Sequence, residues 1–198
     1  SVAVHAFDLV VCRHDMLLFA VSTQKIKQTL AHNGQEDRVD QITPQNREQQ
    51  RDLPDWDPAR RVLGVIRPTV EMMDQVSTTK HIGILGTAGT ISSHSYSLEI
   101  EQMFPHSTAP GESCPLWVPL VENNEFDSPG ADYFVQKHLD HILSVDPRID
   151  TLVLGCTHYP LLIGKIRQYL PQGITVVAQG EYVADSLKDY LNRHPKMD

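Results

Sequence analysis

The stretch TLVLGCTHYP, residues 151–160, passes from a short apolar run to a polar turn. Residues 151–154 are β-branched or apolar and are followed by a glycine, which is typical of a strand covered on both faces. Pro160 suits the first position of a helix, because the N–H of that position has no acceptor within the helix. The pattern predicts a strand, a turn that carries Cys156 and His158, and a following helix.

The same alternation of apolar strands and helices extends in both directions from this stretch. Strands are predicted at 62–66, 82–86, 116–121, 151–155 and 174–178. Helices are predicted at 70–76, from Ser92 or Ser93 to 104, and at 131–143, 160–170 and 182–191. Pro119 places the third strand at an edge of the sheet or at a strand end. Continuous apolar strands separated by helices predict an α/β fold with a parallel sheet flanked by helices.

The first third of the chain has a different composition. Residues 24–50 contain seven Gln and few large apolar side chains, so this stretch supplies little core. Residues 52–61, with two prolines, are interpreted as a linker. We therefore expect a divergent N-terminal region and linker at 1–61, an α/β domain at 62–178 and a C-terminal helix at 179–198.

Composition argues against nucleic acid as a partner, a membrane span, a signal peptide and a disulfide framework. The formal net charge of −8 makes nucleic acid an unfavourable partner. No run of 18 apolar residues is present to span a membrane, and the apolar stretch 7–21 is interrupted by Arg13 and Asp15, so we do not interpret it as a signal peptide. The three cysteines are widely spaced and form no CxxC pair. We expect reduced thiols in a cytoplasmic protein.

Cys156 lies on the predicted strand-to-helix turn. The dipole and free N–H groups of a helix N-terminus favour a thiolate there. His158 is placed to hydrogen-bond the thiol or to deliver a proton, and Thr157 offers a hydroxyl and an N–H to an anion. The turn suits a thiol that exchanges protons or attacks a carbon. The alternative is a small buried hydrophobic residue, and no metal site is predicted because two ligands fall short of the usual four.

Two loops follow predicted strand ends, one after Gly86 and one after Gly155. Parallel sheets bind ligands at the carboxyl ends of their strands, so we expect the functional site at these loops. His138 and His141 have no ligand-like spacing to Cys156 and His158, and we interpret both as surface residues of the 131–143 helix.

Four segments resemble the glutamate racemases, a group within the aspartate/glutamate racemase family. They are GCTHYPLL at 155–162, GVIRP at 64–68, GILGTAGT at 83–90 and CPLWVPLVE at 114–122. The first is similar to the signature around the second catalytic cysteine of that family. The resemblance covers about residues 52–198, and His158 favours glutamate because related aspartate racemases tend to carry Glu there.

This resemblance implies a cofactor-independent enzyme that interconverts L- and D-glutamate and supplies D-glutamate for peptidoglycan. Two thiols would face the α-carbon from opposite sides. Cys156 is implied as one acid/base, assisted by His158, with Thr157 and His158 at the substrate. Thr87 and Thr90 are implied to line the carboxylate pocket.

Glu122 is implied as an auxiliary acid/base, and the alternative for it is a solvated loop residue. Cys114 belongs to a non-catalytic context of the family, so we interpret it as a core residue. The expected partner is glutamate, and unpartnered apolar surface would favour a homodimer.

The sequence departs from the family before residue 62, where an Asp-Ser-Gly turn, a Tyr-Gly pair and a Cys-Asn-Thr segment are absent. Cys12 is followed by Arg-His-Asp, and we interpret it as a buried structural thiol, with the missing second acid/base as the alternative. The hypothesis is a racemase chain that is truncated in its first domain and weakly active or inactive alone. The alternatives are a catalytically dead α/β module that binds a small anion or a partner, and a superfamily member for another amino or carboxylic acid.

Overall fold

The computed structural model describes residues 12–13, 16–19 and 61–193, which fall into two compact units. Of these residues, the first unit holds 66–183, and the second holds the rest. The predicted Gln-rich region, most of the predicted linker and the side chain of Cys12 lie outside the described part.

The second unit contains a small sheet of three strands. The strands are β1 (Cys12–Arg13), β2 (Met16–Phe19) and β3 (Arg61–Gly64), and β2 pairs antiparallel with β1 and parallel with β3. The strand predicted at 62–66 is thus present but ends earlier, because a helix already begins at Ile66. Pro68 lies in the first turn of that helix, where a missing N–H costs no hydrogen bond.

The first unit is built on a four-stranded parallel sheet, which confirms the predicted fold class. Its strands are β4 (Ile82–Gly86), β5 (Gly111–Ser113), β6 (Thr151–Leu154) and β7 (Thr175–Ala178), in the order β5-β4-β6-β7. From β4 the chain goes outwards to β5, and it then crosses to β6 on the other side of β4. The strand order therefore reverses between β4 and β6, which is the position where open parallel sheets form a ligand crevice.

Helices precede, separate and follow these strands along the chain. They are α1 (Ile66–Glu71), α2 (Met73–Val76), α3 (Ala88–Ser92), α4 (Ser95–Met103), α5 (Trp117–Glu122), α6 (Pro129–Val145), a 3₁₀ helix (Tyr159–Leu162), α7 (Ile163–Tyr169) and α8 (Gln179–Arg193). None of the helices in the described residues is long and apolar enough to cross a membrane.

Both faces of the sheet are buried, as the apolar strands predict. Ile84 and Val153 point into a cluster with Val70, Met73, Tyr96 and Ile100 from α1, α2 and α4. Leu85 and Leu152 point into the opposite cluster, which is closed by α5, α6 and α7. Alternate residues of one strand face opposite sides, so β4 and β6 are buried at every position and consist mostly of apolar residues.

The prediction of a strand at 116–121 is wrong. These residues form most of helix α5, and the strand in this region is β5, which lies at the edge of the sheet. Trp117 and Val121 are four residues apart and both buried, which is helical spacing. A run of six apolar residues does not distinguish a buried strand from a buried helix, and Pro119 fits the first turn of α5.

The helix predicted from Ser92 or Ser93 begins differently. Thr87 caps α3, with its hydroxyl accepting from the Thr90 N–H at 3.2 Å, and the chain turns at His94, which has a φ of 52°. Helix α4 then starts at Ser95. The strands predicted at 82–86, 151–155 and 174–178 are confirmed, as are the helices at 131–143 and 182–191, within a few residues at their ends.

His141 is exposed on α6, as predicted, but the interpretation of His138 as a surface residue is wrong. His138 is buried, and its Nδ1 lies 2.6 Å from one carboxylate oxygen of Glu112. His141 Nδ1 lies 2.6 Å from the other oxygen. His138 follows Val135 by three residues and shares its buried face, where the Glu112 carboxylate of β5 supplies the partner that a buried ring needs.

Candidate active site

The turn after β6 is held against β4 by backbone contacts. The Gly155 N–H donates to the Leu85 carbonyl at 2.8 Å, and the Tyr159 N–H donates to the Cys156 carbonyl at 3.2 Å. The first bond continues the β4–β6 pairing to the strand end, and the second starts the 3₁₀ helix. Cys156 is therefore fixed at the carboxyl edge of the sheet, beside the reversal of strand order.

Gly155 allows this turn to approach its neighbours closely. A Cβ at this position would lie 3.2 Å from the Leu85 carbonyl oxygen, 3.2 Å from Tyr96 Cε2 and 3.5 Å from Thr90 Cγ2. The carbonyl cannot move away without breaking the sheet. The same distances place Thr90 and Tyr96, which belong to the helices after β4, directly beside the residue that precedes Cys156.

The electrostatic surroundings of Cys156 disfavour a resting thiolate. Burial raises the pKa of the thiol, hydrogen bonds from the backbone N–H groups of His158 and Tyr159 lower it, and the Glu122 carboxylate raises it, with a net increase. The N–H groups expected at the turn are present, but the expected lowering of the thiol pKa is wrong. Removal of water around a small buried anion outweighs two backbone donors.

A line of contacts leads from the sulfur to the surface. Cys156 Sγ lies 3.9 Å from His158 Nδ1, and His158 Nε2 lies 3.5 Å from Glu122 Oε1. The His158 side chain is 16% exposed and that of Glu122 is 60% exposed. A neutral imidazole accepts at one ring nitrogen and donates from the other, so this ring is placed to move a proton between the thiol and an exposed carboxylate.

The threonines expected in the site lie on the two neighbouring loops. The Thr87 and Thr90 hydroxyl oxygens are 3.0 Å apart at the end of β4, and Thr90 reaches the β6 turn through its methyl group. Thr157 is exposed on the same turn as Cys156. The structure thus brings Cys156, His158 and Glu122 into one line and places the three threonines at the adjoining strand ends.

Cys114 is a core residue, as interpreted from the sequence. It is fully buried, and its carbonyl accepts from the Tyr159 hydroxyl at 3.0 Å. Burial raises its pKa well above the ordinary range, so it is not poised to titrate. Trp117 packs edge-on against the Tyr159 ring and closes this part of the core.

Tyr96 is the neighbour of the site that the sequence pattern missed. Its position on α4 predicts only a core residue, and the ring is indeed 3% exposed. Its hydroxyl, however, is buried and has no hydrogen-bond partner within the part of the chain that the structure describes. A tyrosine at an apolar helix position is the only signal in the sequence, and that signal does not separate a bonded hydroxyl from an unbonded one.

Within the described side chains, no group of three or more His, Cys, Asp or Glu residues is arranged to hold a metal ion. The Glu112, His138 and His141 side chains meet in direct hydrogen bonds instead.

Sequence comparison finds similarity to curated glutamate racemases. The chain is 39% identical to the enzyme of Shouchella clausii over 133 residues, which are 67% of this chain and 47% of that protein. It is 40% identical to the enzyme of Lactiplantibacillus plantarum over 134 residues, 66% of this chain and 48% of that protein. The chain spans about half the length of the curated relatives that it matches. No protein-family model matches it.

Solved structures of glutamate racemases have a similar fold. A glutamate racemase isoform from Bacillus anthracis superposes with a TM-score of 0.69 and 26% identity, over 96% of this chain and 71% of that one. The Francisella tularensis glutamate racemase, solved in complex with D-glutamate, has a TM-score of 0.68 and 21% identity, over 90% of this chain and 68% of that one. The chain is therefore a homologue of the glutamate racemases over about two thirds of its length, and it has the fold of that family.

Proposed function

We propose that this chain performs the proton-transfer chemistry of a glutamate racemase, the cofactor-independent interconversion of L- and D-glutamate, and that it serves the supply of D-glutamate for peptidoglycan. The observation that carries the proposal is the line from Cys156 through His158 to Glu122 at the carboxyl end of β6. Identity of 39% to a curated glutamate racemase supports the choice of substrate.

In the proposed step, the Cys156 thiolate removes the α-proton from one face of glutamate. The S–H bond forms, the C–H bond breaks, and the electron pair is delocalised towards the α-carboxylate. Return of a proton to the opposite face gives the other enantiomer, and return to the same face gives back the starting one. The α-hydrogen is a very weak acid, so the site has to stabilise a carbanion-like species with oriented donors.

Substrate binding is expected to bring a positive charge close to Cys156 and so to lower the pKa of its thiol. Burial and the Glu122 carboxylate raise the pKa of Cys156, and the ammonium group of bound glutamate is a cation that would lower it. The thiolate would then form chiefly in the complex. His158 is proposed to assist this proton movement, with Glu122 as the exposed end of the line.

The three threonines are proposed to bind the substrate carboxylates. Thr87 and Thr90 satisfy each other at 3.0 Å, so their hydroxyls can turn to an incoming anion without leaving either group unpaired. Thr157 offers an exposed hydroxyl beside the acid/base. This arrangement places donors on both loops that border the crevice between β4 and β6.

We propose that the described α/β unit supplies one acid/base of the pair. The thiol of Cys114 is fully buried and serves the core. One thiol cannot protonate both faces of the α-carbon efficiently, so we expect the chain alone to racemise glutamate weakly or not at all.

A catalytically dead module that binds a small anion, or an enzyme for another amino or carboxylic acid, is the second candidate. The raised pKa of Cys156 favours the inactive module over either enzyme, because a thiol that stays protonated cannot take up the α-proton. Binding without proton exchange would identify the module, and preference for another acid would identify the other enzyme.

Protection of Cys156 from alkylation tests the proposed pocket. The purified chain is treated with iodoacetamide alone and with D-glutamate, L-glutamate or aspartate, and mass spectrometry follows labelling of the peptide that contains Cys156. We expect glutamate to slow the labelling more than aspartate does. Labelling of the buried Cys114 reports unfolding and serves as the control. Equal labelling rates with and without both enantiomers of glutamate would contradict the proposal.

A further inference from the structure

We infer that Tyr96 is a positioning residue for Cys156, and that its buried hydroxyl donates a hydrogen bond to the sulfur when the thiol loses its proton. The inference rests on the proposed acid/base role of Cys156 and adds a donor to it. It begins from a buried hydroxyl next to the site that forms no hydrogen bond with any residue that the structure describes.

Phenylalanine would fit the position of Tyr96 better if the side chain served packing alone. The ring is 3% exposed and belongs to the apolar cluster on one face of β4 and β6. Its hydroxyl has no partner among the described residues. A buried polar group without a partner typically costs about 1–3 kcal/mol, and such a cost at a functional site points to a partner in another state of the protein.

The position of the Tyr96 ring indicates which group could accept a hydrogen bond from its hydroxyl. Tyr96 Cε2 lies 3.2 Å from the place where a Cβ of Gly155 would stand, so the hydroxyl end of the ring is at the turn that carries Cys156. The hydroxyl is shielded from solvent, which favours a protein atom as its partner. The Cys156 sulfur is a protein atom at this turn whose accepting strength changes, from a weak acceptor in the thiol to a strong one in the thiolate.

The charges are consistent with this pairing. Burial raises the pKa of Tyr96 well above its ordinary value, and a negative charge on Cys156 raises it further. The hydroxyl therefore stays protonated and remains a donor when the thiolate forms. In this structure Cys156 packs against the cluster on the opposite face of the sheet from Tyr96, so the hydrogen bond requires the Cys156 side chain to turn towards the Tyr96 ring, which is held in the core.

The replacement Tyr96→Phe tests the inference without any turnover. The rate of iodoacetamide labelling at Cys156 is measured from about pH 6 to pH 10, which brackets ordinary thiol pKa values. Loss of a hydrogen bond to the thiolate should raise the apparent pKa of Cys156 by about one unit, so that labelling at a fixed lower pH slows about tenfold. The free energy of unfolding in urea should stay the same or increase, because the hydroxyl forms no hydrogen bond with the described residues that the replacement would remove.

Tyr159→Phe is the matched comparison for stability, since it removes a hydroxyl that does have a partner, the Cys114 carbonyl. That variant should unfold at lower urea concentration than the parent chain. An unchanged labelling profile in Tyr96→Phe would overturn the inference, as would destabilisation of that variant equal to Tyr159→Phe or failure to fold. Because the profile is recorded without glutamate, its outcome is separate from the protection test of the proposed function.

Discussion

The candidate site depends on single residues whose small size or burial fixes its geometry. Cys156 and His158 were predictable because the strand, the turn and the helix start are all encoded within ten consecutive residues. The raised pKa of Cys156 was not predictable, since it depends on how deeply the turn packs and on Glu122 from a distant helix. Tyr96 shows the same limit, because only the packed structure reveals that its hydroxyl has no partner among the residues of 61–193.

Gly155→Ala should destabilise the first unit. The added methyl group would stand 3.2 Å from the Leu85 carbonyl oxygen, and this contact requires the turn or strand β4 to shift. Overpacking of this kind typically costs about 1–3 kcal/mol. Urea unfolding followed by circular dichroism measures the change.

Gly164→Ala is the matched control for that substitution. Gly164 lies in α7, and apart from its chain neighbours and the backbone of its own helix no heavy atom lies within 4 Å of its potential Cβ. Alanine in a helix is favoured over glycine by about 1 kcal/mol, so this variant should be as stable as the parent chain or more stable. Equal effects of the two substitutions would show that the turn at Gly155 is not tightly packed.

The buried carboxylate of Asp146 joins several secondary-structure elements at the end of the sheet opposite the candidate site. Asp146 caps the end of α6, and its carboxylate accepts from the Thr108 hydroxyl at 3.0 Å and the Arg148 N–H at 3.1 Å. His81 Nδ1, at the start of β4, lies 2.6 Å from the same carboxylate. Burial alone would raise the pKa of Asp146, but the His81 contact and the other hydrogen bonds hold it at about 2.

The pH dependence of stability follows from this low pKa. The unfolded chain takes up a proton at Asp146 near pH 4, before the folded protein does, so the contribution to stability is complete above about pH 4 and is lost as pH falls towards about 2. Asp146→Asn should lower the free energy of unfolding by about 2 kcal/mol at pH 7. The difference between variant and parent should shrink between about pH 4 and pH 2, measured by urea unfolding at each pH.

Asp140→Asn serves as the control for Asp146, because Asp140 is an exposed aspartate on the same helix α6. It should change the stability at pH 7 by less than about 0.5 kcal/mol. A pH-independent difference between Asp146→Asn and the parent chain would contradict the assignment of the acid transition to this carboxylate.

Element types could be predicted where length and periodicity were unambiguous. Helix α6 has more than four turns with Val135, Leu139 and Ile142 on one face, and strands β4 and β6 are buried at every position and mostly apolar. The segment 116–121 was mistaken because six apolar residues satisfy both a buried strand and a short buried helix. The true edge strand β5 was missed because its three residues carry no apolar pattern.

On the scale of the whole chain, the number of thiols at the candidate site limits the activity that we propose. The chain spans about half the length of the curated glutamate racemases that it matches. Two cysteine side chains belong to the described residues. Cys156 is partly buried at the carboxyl edge of the sheet, and Cys114 is buried in the core. This distribution is the basis for expecting proton transfer at one face of glutamate and slow or absent racemisation.

The most direct test is incorporation of solvent deuterium at the α-carbon of L- and D-glutamate, followed by proton NMR in D₂O. We predict that the chain exchanges the α-proton of one enantiomer faster than that of the other, and that Cys156→Ser lowers the exchange rate about 100-fold or more. Exchange that is absent with both enantiomers, equally rapid with both, or unaffected by Cys156→Ser would contradict the account.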